Sequence, residues 1–213
     1  TLAMISACQL LREEATASEA TLKKALRVNP RAASVYHTVA DYMVVHHRYT
    51  TAVQLEREAL RLDPEYVPSY VGLGIGYSRL GDDEKANSYL QQALEQDSYN
   101  RRAYNMTALF YDGPAKRMNW HDMAPFRVRL EQKEEAILVP LLKPFLREAY
   151  QHHSKVYGFR PKKPLHIELF SEPTTFSIRT TGYPRLGASG VCFGHVITAQ
   201  SPSAGNFNWG MVM

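Results

Sequence analysis

The sequence predicts an α-helical solenoid followed by a small α+β domain with two or more helices and about three strands. Two observations carry this prediction. In the first half, residue types recur every 34 positions, and after about residue 163 apolar residues recur every second position. A chain of 213 residues has room for two ordinary domains. We therefore expect a repeat array at 1–112, a helical bridge at 113–162 and a sheet region at 163–213.

The repeat is visible when the first half is compared with itself. The aligned aromatic, alanine and leucine positions are Tyr36, Tyr70, Tyr104, Ala25, Ala59, Ala93, Leu26, Leu60 and Leu94. This period, with an early aromatic residue and small residues in the middle, resembles the tetratricopeptide repeat, in which each unit is a pair of antiparallel helices. The resemblance implies complete repeats at 33–66 and 67–100, a nearly complete one at 1–32, and the start of another helix at 101–111.

The small residues of the repeat at 67–100 are those that a helical hairpin requires. Gly74 and Ala86 fall where two helices of one hairpin cross, so they allow a close approach. Gly81-Asp82-Asp83 is typical of a turn, and an aspartate there can cap the second helix. The glycines at 72, 74 and 76 lie inside a helix, which argues against a phosphate-binding loop.

Arrays of this kind hold or recognise other proteins, and the first helix of each repeat lines the concave face. We therefore expect a protein or peptide ligand on that face. The candidate groove residues are His37, Asp41, Val71, Ile75, Arg102 and Asn105. One subclass grips a terminal carboxylate with lysine, asparagine and arginine, but Asp41 and Ile75 stand where such a clamp needs cationic or amide groups. A co-chaperone-like role is weakened for the same reason.

The second half shows both periods. Phe126 to Tyr150 has helical spacing, and Pro140 and Pro144 predict a break into two helical pieces. The apolar side of this region is predicted to hold Leu130, Ile137, Leu141 and Phe145.

From residue 163 onward three strands are expected, at 163–169, at 176–180 and at 190–199. A glycine-rich loop separates the second from the third. We expect residues 207–213 to begin a helix.

The runs Phe176-Ser-Ile-Arg-Thr-Thr-Gly, Leu186-Gly-Ala-Ser-Gly-Val-Cys-Phe-Gly and Phe207-Asn-Trp-Gly resemble the N-terminal sheet of bacterial thermolysin-like (gluzincin) metallopeptidase domains that follow tetratricopeptide arrays. The resemblance covers roughly residues 120–213. It implies a zinc metallopeptidase as the parent protein and a helix with His-Glu-x-x-His starting at about Trp209. It also implies a substrate edge on the third strand, at Gly190, Val191, Cys192, Phe193 and Gly194.

The sequence reaches Met213 without His-Glu-x-x-His, so we expect this chain to be non-catalytic. Adjacent histidine pairs, such as His46/His47, do not have the spacing of zinc ligands on a helix. We therefore expect no metal and no cofactor in this chain, although zinc is expected in the full-length parent. The alternative is a purely structural adaptor without peptidase activity.

The charge differs between the halves, with a net −2 over 1–112 and +6 over 113–213. A basic run at Arg160, Lys162 and Lys163 lacks interleaved aromatic residues, which favours a solvated loop and no nucleic-acid partner. No apolar run approaches the ~20 residues of a membrane span. If the helix that covers the sheet is missing, exposed apolar area should lead to self-association through the C-terminal part.

Overall fold

The computed structural model describes residues 1–161 and 164–205, and the chain divides into two compact units, Thr1–Tyr104 and Asn105–Met213.

The first unit consists of helical hairpins. The helices are α1 (Leu2–Leu11), α2 (Ala15–Val28), α3 (Ala33–Val45), α4 (Tyr49–Leu62), α5 (Val67–Leu80), α6 (Asp83–Gln96) and the start of α7 (Arg101–Met106). Helices α1/α2, α3/α4 and α5/α6 pack as pairs. The first helices of successive pairs, α3, α5 and α7, begin 34 residues apart, at Ala33, Val67 and Arg101, which is the period of the sequence repeat.

The small residues of the third hairpin have the predicted role. A Cβ atom added to Gly74 would lie 2.5 Å from Cγ of Leu90, so only glycine permits this approach of α5 to α6. Gly81 ends α5 in the left-handed conformation, with φ of 78°. The Asp82 side chain caps α6 by accepting a hydrogen bond from the backbone amide of Lys85.

The second unit is a five-stranded mixed sheet with helices. After the π-helical turn Thr107–Tyr111 and the 3₁₀ turn Pro114–Arg117 come β1 (Met118–Met123), β2 (Phe126–Glu131), the 3₁₀ turn Gln132–Glu134, α8 (Glu135–Tyr157), β3 (Leu165–Phe170), α9 (Pro173–Thr181), β4 (Gly190–Phe193) and β5 (Val196–Gln200). The order across the sheet is β1-β2-β3-β5-β4. Strands β2, β3 and β5 are parallel, while β1 and β4 pair antiparallel at the two edges.

Alternating side chains of the strands build two cores. On one face, Val128, Leu130 and Leu169 pack in a cluster with Leu138 and Leu142 of α8. On the other face, the rings of Phe110 and Phe170 meet at 5.9 Å, and that of Phe176 of α9 lies 6.4 Å from Phe170. Here the fully buried Arg179 guanidinium donates to both oxygens of Glu168, at 2.8 and 2.6 Å.

The prediction of a helical bridge in two pieces is wrong. Strands β1 and β2 form a hairpin within 118–131, and α8 runs unbroken through both of its prolines. Pro140 and Pro144 are four residues apart on the exposed side, so the carbonyls they leave unpaired in the helix face water. The buried stripe is Leu138, Leu142 and Leu146, whereas Ile137 and Leu141, predicted to lie on the apolar side, are exposed.

Two strand predictions also need correction. Residues 176–180 lie in α9, which begins at Pro173 and ends at Gly182 with φ of 81°. Residues 190–199 form a hairpin rather than one strand, because the chain reverses at Gly194, where φ is 73°. The predicted strand at 163–169 is confirmed as β3.

The predicted class, a tetratricopeptide-type solenoid plus a small α+β domain, is confirmed, and the described residues contain five strands where about three were expected. Two of the predictions, the basic run at Lys162 and Lys163 and the helix start at 207–213, lie outside the described residues. No helix in the described ranges combines the length and apolar character that crossing a membrane requires.

Candidate functional site

The middle hairpin differs from its two neighbours at three equivalent positions. Shifting by one repeat of 34 residues relates Ala3, Ala7 and Leu22 to His37, Asp41 and Glu56, and these to Val71, Ile75 and Leu90. The first and third sets are apolar and buried. The middle set is polar and ionisable, and we call His37, Asp41 and Glu56 the polar triad.

The hairpin brings the triad together. His37 and Asp41 lie one turn apart on α3, and Glu56 lies on the facing helix α4. Nδ1 of His37 is 2.9 Å from Oε1 and 3.1 Å from Oε2 of Glu56. Nε2 of the same ring is 3.6 Å from Oδ2 of Asp41. The imidazole therefore stands between two carboxylates, one at each ring nitrogen.

Exposure rises across the triad. The side chain of Glu56 is 2% exposed, that of His37 20% and that of Asp41 65%. One end of the triad is thus part of the core and the other lies at the surface. A ligand can therefore approach Asp41 and the adjacent Nε2 of His37 while Glu56 remains buried.

Burial and charge shift the ionisation of the buried members. Burial alone would lower the pKa of His37, but the hydrogen bond with Glu56 and the charges of Glu56 and Asp41 outweigh it and raise this pKa. Burial raises the pKa of the Glu56 carboxyl, and the hydrogen bond with His37 offsets this only in part. Burial also raises the pKa of Tyr66, and the charges of Glu56 and Asp41 raise it further.

Two residues, Tyr66 and Gly72, lie against the triad. The Tyr66 ring contacts the His37 ring edge to face, with centroids 5.6 Å apart. Gly72 on α5 leaves room for the Glu56 carboxylate, because a Cβ atom there would lie 2.1 Å from Oε1 of Glu56. Sequence reasoning found His37 and Asp41 but missed Glu56 and Gly72. The signal was available, since Glu56 stands where the other repeats carry leucine.

The other predicted groove residues are less accessible. Val71 and Ile75 are 9% and 5% exposed, so they belong to the core of their hairpin. Arg102 is half-buried and engaged with other groups. Asn105 is 8% exposed, and its side-chain amide donates to the carbonyl of Gly182 at 2.9 Å. Of the six candidates, Asp41 is the most exposed, and His37 lies beside it on α3.

The predicted substrate-edge residues lie at the end of the sheet. Gly190, Val191, Cys192 and Phe193 make up β4, and Gly194 is in the turn that follows. Phe193 is buried, whereas Gly190 and Cys192 are exposed. Within the described residues, β4 pairs with β5 on one side only.

Comparison with known proteins gives no family model and no curated protein that matches this chain. Solved structures do match. MamA is 20% identical, with 53% of this chain and 66% of that chain covered and a TM-score of 0.42. A thermophilic TPR protein of Thermus thermophilus is 23% identical, with 54% of this chain and 66% of that chain covered and a TM-score of 0.40.

YrrB, described as a TPR protein with an unusual peptide-binding site, is 24% identical, with 54% of this chain and 60% of that chain covered and a TM-score of 0.40. The chain spans less than two thirds of each of these three proteins. The repeat fold of the first unit is identified by the 34-residue register together with the paired helices.

Proposed function

We propose that this chain is a protein-binding scaffold and that the polar triad is its recognition point for a cationic group. The observation that carries the proposal is the replacement of three apolar side chains by ionisable ones in one hairpin of three. The neighbouring hairpins pack with apolar residues at the same positions, so the fold itself does not require the triad.

The triad also carries a cost that a purely structural role leaves unexplained. Removing a carboxylate such as Glu56 from water is unfavourable, and a buried polar pair is often no better for stability than the apolar residues that could replace it. The middle hairpin therefore lacks the stabilisation that Val71 and Leu90 provide in the next repeat. A binding function of Asp41 and His37 explains why polar residues stand there in spite of this loss.

The charge of the triad favours a cationic ligand group. When both carboxyls are ionised, two carboxylates face one imidazole, which leaves a net negative charge even when His37 is protonated. No lysine or arginine pairs with Glu56 or Asp41 in the part of the chain that the structure describes. A cationic ligand group that reaches Asp41 would neutralise this negative charge.

Peptide display tests this function directly. A random peptide library is panned on the full chain in EDTA, and the recovered peptides are measured against wild type, the double variant H37V/E56L and the single variant D41N. The double variant copies Val71 and Leu90 of the next repeat, so it should fold. Glu58→Gln serves as the control, because Glu58 is a half-exposed acid on the same hairpin and its partner is Arg61.

We expect peptides enriched in lysine or arginine that bind wild type and Glu58→Gln equally and lose at least tenfold in affinity to the other two variants. Peptides that bind all four proteins equally would show that the triad is not the recognition point. Failure to recover any peptide that binds the first unit would contradict the scaffold function.

A second candidate function belongs to the second unit, where β4 could accept an extended peptide by strand addition. The observation that favours it is the position of β4 at the end of the sheet, where no strand of the described residues lies beside it on the side away from β5. The gluzincin resemblance supports the same strand, as it implies a substrate along this edge. The proposal covers binding alone, because the sequence holds no His-Glu-x-x-His.

Hydrogen exchange distinguishes this second function from the first. Displayed peptides that still bind H37V/E56L are added to the full chain, and exchange is followed at each backbone amide. Strand addition should slow exchange within β4, at Gly190–Phe193, and leave α3 unchanged. Unchanged exchange in β4 at saturating peptide would contradict strand addition.

A further inference from the structure

We propose that the polar triad binds a divalent transition-metal ion of the Zn²⁺ class through Nε2 of His37 and Oδ2 of Asp41, with Glu56 positioning the imidazole. The inference rests on the proposed function and deepens it, because it names a second kind of cation, besides a cationic side chain, that the triad takes. It also departs from the expectation, drawn from histidine spacing, that this chain holds no metal.

The hydrogen bonding of His37 sets the ligand atom. A carboxylate only accepts hydrogen bonds, so the contact of Nδ1 with Glu56 at 2.9 Å requires the proton to be on Nδ1. The neutral ring then has a lone pair on Nε2, which faces the second carboxylate, Asp41, at 3.6 Å. A cation between these two facing electron-rich atoms, either a proton or a metal ion, would be stabilised by both.

The separation of these atoms suits a metal ion. Zinc binds imidazole nitrogen and carboxylate oxygen at about 2.0–2.2 Å, so two ligands of a tetrahedral ion lie about 3.3 Å apart. The observed 3.6 Å between Nε2 and Oδ2 needs an adjustment of only a few tenths of an ångström. Asp41 is exposed and on the same helix face, so its side chain is free to make that movement.

Glu56 is the hydrogen-bond acceptor that a metal-binding histidine usually has at its other ring nitrogen. Metal-binding histidines commonly donate their other ring N–H to a carboxylate, which fixes the ring and raises its basicity as a ligand. Glu56 is in that place, 2% exposed and held against Gly72. Ligand-type atoms of all three triad residues lie within 4.8 Å of one another.

The donor set identifies the class of metal. Imidazole together with carboxylate suits zinc and its first-row neighbours rather than calcium or magnesium, which prefer oxygen ligands alone. His37 and Asp41 supply two ligands, so at least two positions of the ion remain for water or for a side chain of the bound protein. Besides direct contact with a cationic side chain, the triad would thus offer a metal ion that it can share with the bound protein.

The test is metal binding by the full chain after treatment with EDTA. Zn²⁺ is titrated by calorimetry, and Co²⁺ is used as a spectroscopic probe because its visible spectrum reports nitrogen and oxygen coordination. The variants are D41N, Glu56→Gln and H37V/E56L, with His47→Gln as the control for an exposed histidine outside the triad.

We expect one Zn²⁺ per chain for wild type and His47→Gln and no binding at this site for H37V/E56L. D41N should lose at least tenfold in affinity. Glu56→Gln retains an acceptor for Nδ1 but not the charge, and a positioning carboxylate is worth about 10- to 100-fold in affinity. The Co²⁺ spectrum of Glu56→Gln should change while its thermal midpoint remains close to that of wild type.

Equal Zn²⁺ affinity in all variants, or no stoichiometric binding by wild type, would overturn the inference and leave a proton as the cation between His37 and Asp41. Because the peptide panning is done in EDTA, its result is independent of this one. Triad-dependent peptides without Zn²⁺ binding would sustain the scaffold function and reject the metal.

Discussion

Replacing Gly72 by alanine tests how closely the Glu56 carboxylate approaches helix α5. Glycine inside a helix normally destabilises a protein by about 1 kcal/mol relative to alanine, so the substitution alone should be favourable. At this position, however, the new Cβ atom would lie 2.1 Å from Oε1 and 2.6 Å from Cδ of Glu56. The carboxylate would have to move and give up its contact with His37.

The two effects can be compared. A hydrogen bond to a charged group contributes about 1.5–3 kcal/mol to stability, which exceeds the helix-propensity gain of the alanine. We therefore expect Gly72→Ala to lower the free energy of unfolding by about 0.5–2 kcal/mol. In a Glu56→Ala background the obstacle is absent, and the same change should raise the free energy of unfolding by about 1 kcal/mol.

Urea denaturation of the four proteins in this double-mutant cycle, followed by far-UV circular dichroism, measures the coupling. The change of sign between the two backgrounds is the expected result. If Gly72→Ala stabilises the protein equally with and without the carboxylate, the Glu56 carboxylate does not lie against Gly72 and the geometry of the triad is wrong.

Three further predictions concern stability. Arg179→Met should cost about 3–5 kcal/mol in calorimetry, because it leaves the Glu168 charge buried without its partner, and adding Glu168→Met should recover most of the loss. Burial would raise the pKa of Glu131, but hydrogen bonds from Ser171 and a lysine outweigh it and lower this pKa. The stabilisation is therefore present above the ordinary pKa of Glu and lost as pH falls through the folded-state value, so Glu131→Gln should flatten the acid limb of a plot of thermal midpoint against pH. Asp82→Ala should cost about 1 kcal/mol in urea denaturation through loss of the α6 cap. An unchanged free energy of unfolding for Arg179→Met or Asp82→Ala, or an unchanged acid limb for Glu131→Gln, would contradict the corresponding contact.

The first unit could be predicted from sequence because its stabilising contacts repeat. Each hairpin is built from local helices, and the 34-residue register marks the small residues at every crossing, such as Gly74 and Ala86. Capping residues such as Asp82 act on neighbouring backbone and can be read from short segments. The boundaries of these helices are therefore encoded close to the residues that form them.

The second unit was less predictable because tertiary burial overrides local preference there. The segment at 176–180 is rich in β-branched and aromatic residues, yet it forms α9, since Glu-Pro at its start and Gly182 at its end favour a helix and its side chains pack on the sheet. Pro140 and Pro144 are poor helix residues, but they lie on the water-facing side of α8 while its leucines pack on β2 and β3.

Two of the three triad residues followed from helical phase. His37 and Asp41 lie on the first helix of their repeat, where ligand contacts are expected. Glu56 lies on the second helix at a core position, and its importance appears only when the three repeats are compared or the hydrogen bond to His37 is seen. Val71 and Ile75 share the phase of His37 and Asp41 but are buried.

The claim that the triad serves binding rather than folding is tested most directly by the free energy of unfolding of H37V/E56L, the variant that copies Val71 and Leu90. If the triad is a functional site, apolar replacement of the buried pair should leave this free energy unchanged or raise it by about 1–4 kcal/mol. A fall of more than about 1 kcal/mol, well outside the error of paired urea denaturation curves, would show that the pair stabilises the hairpin and would contradict the account.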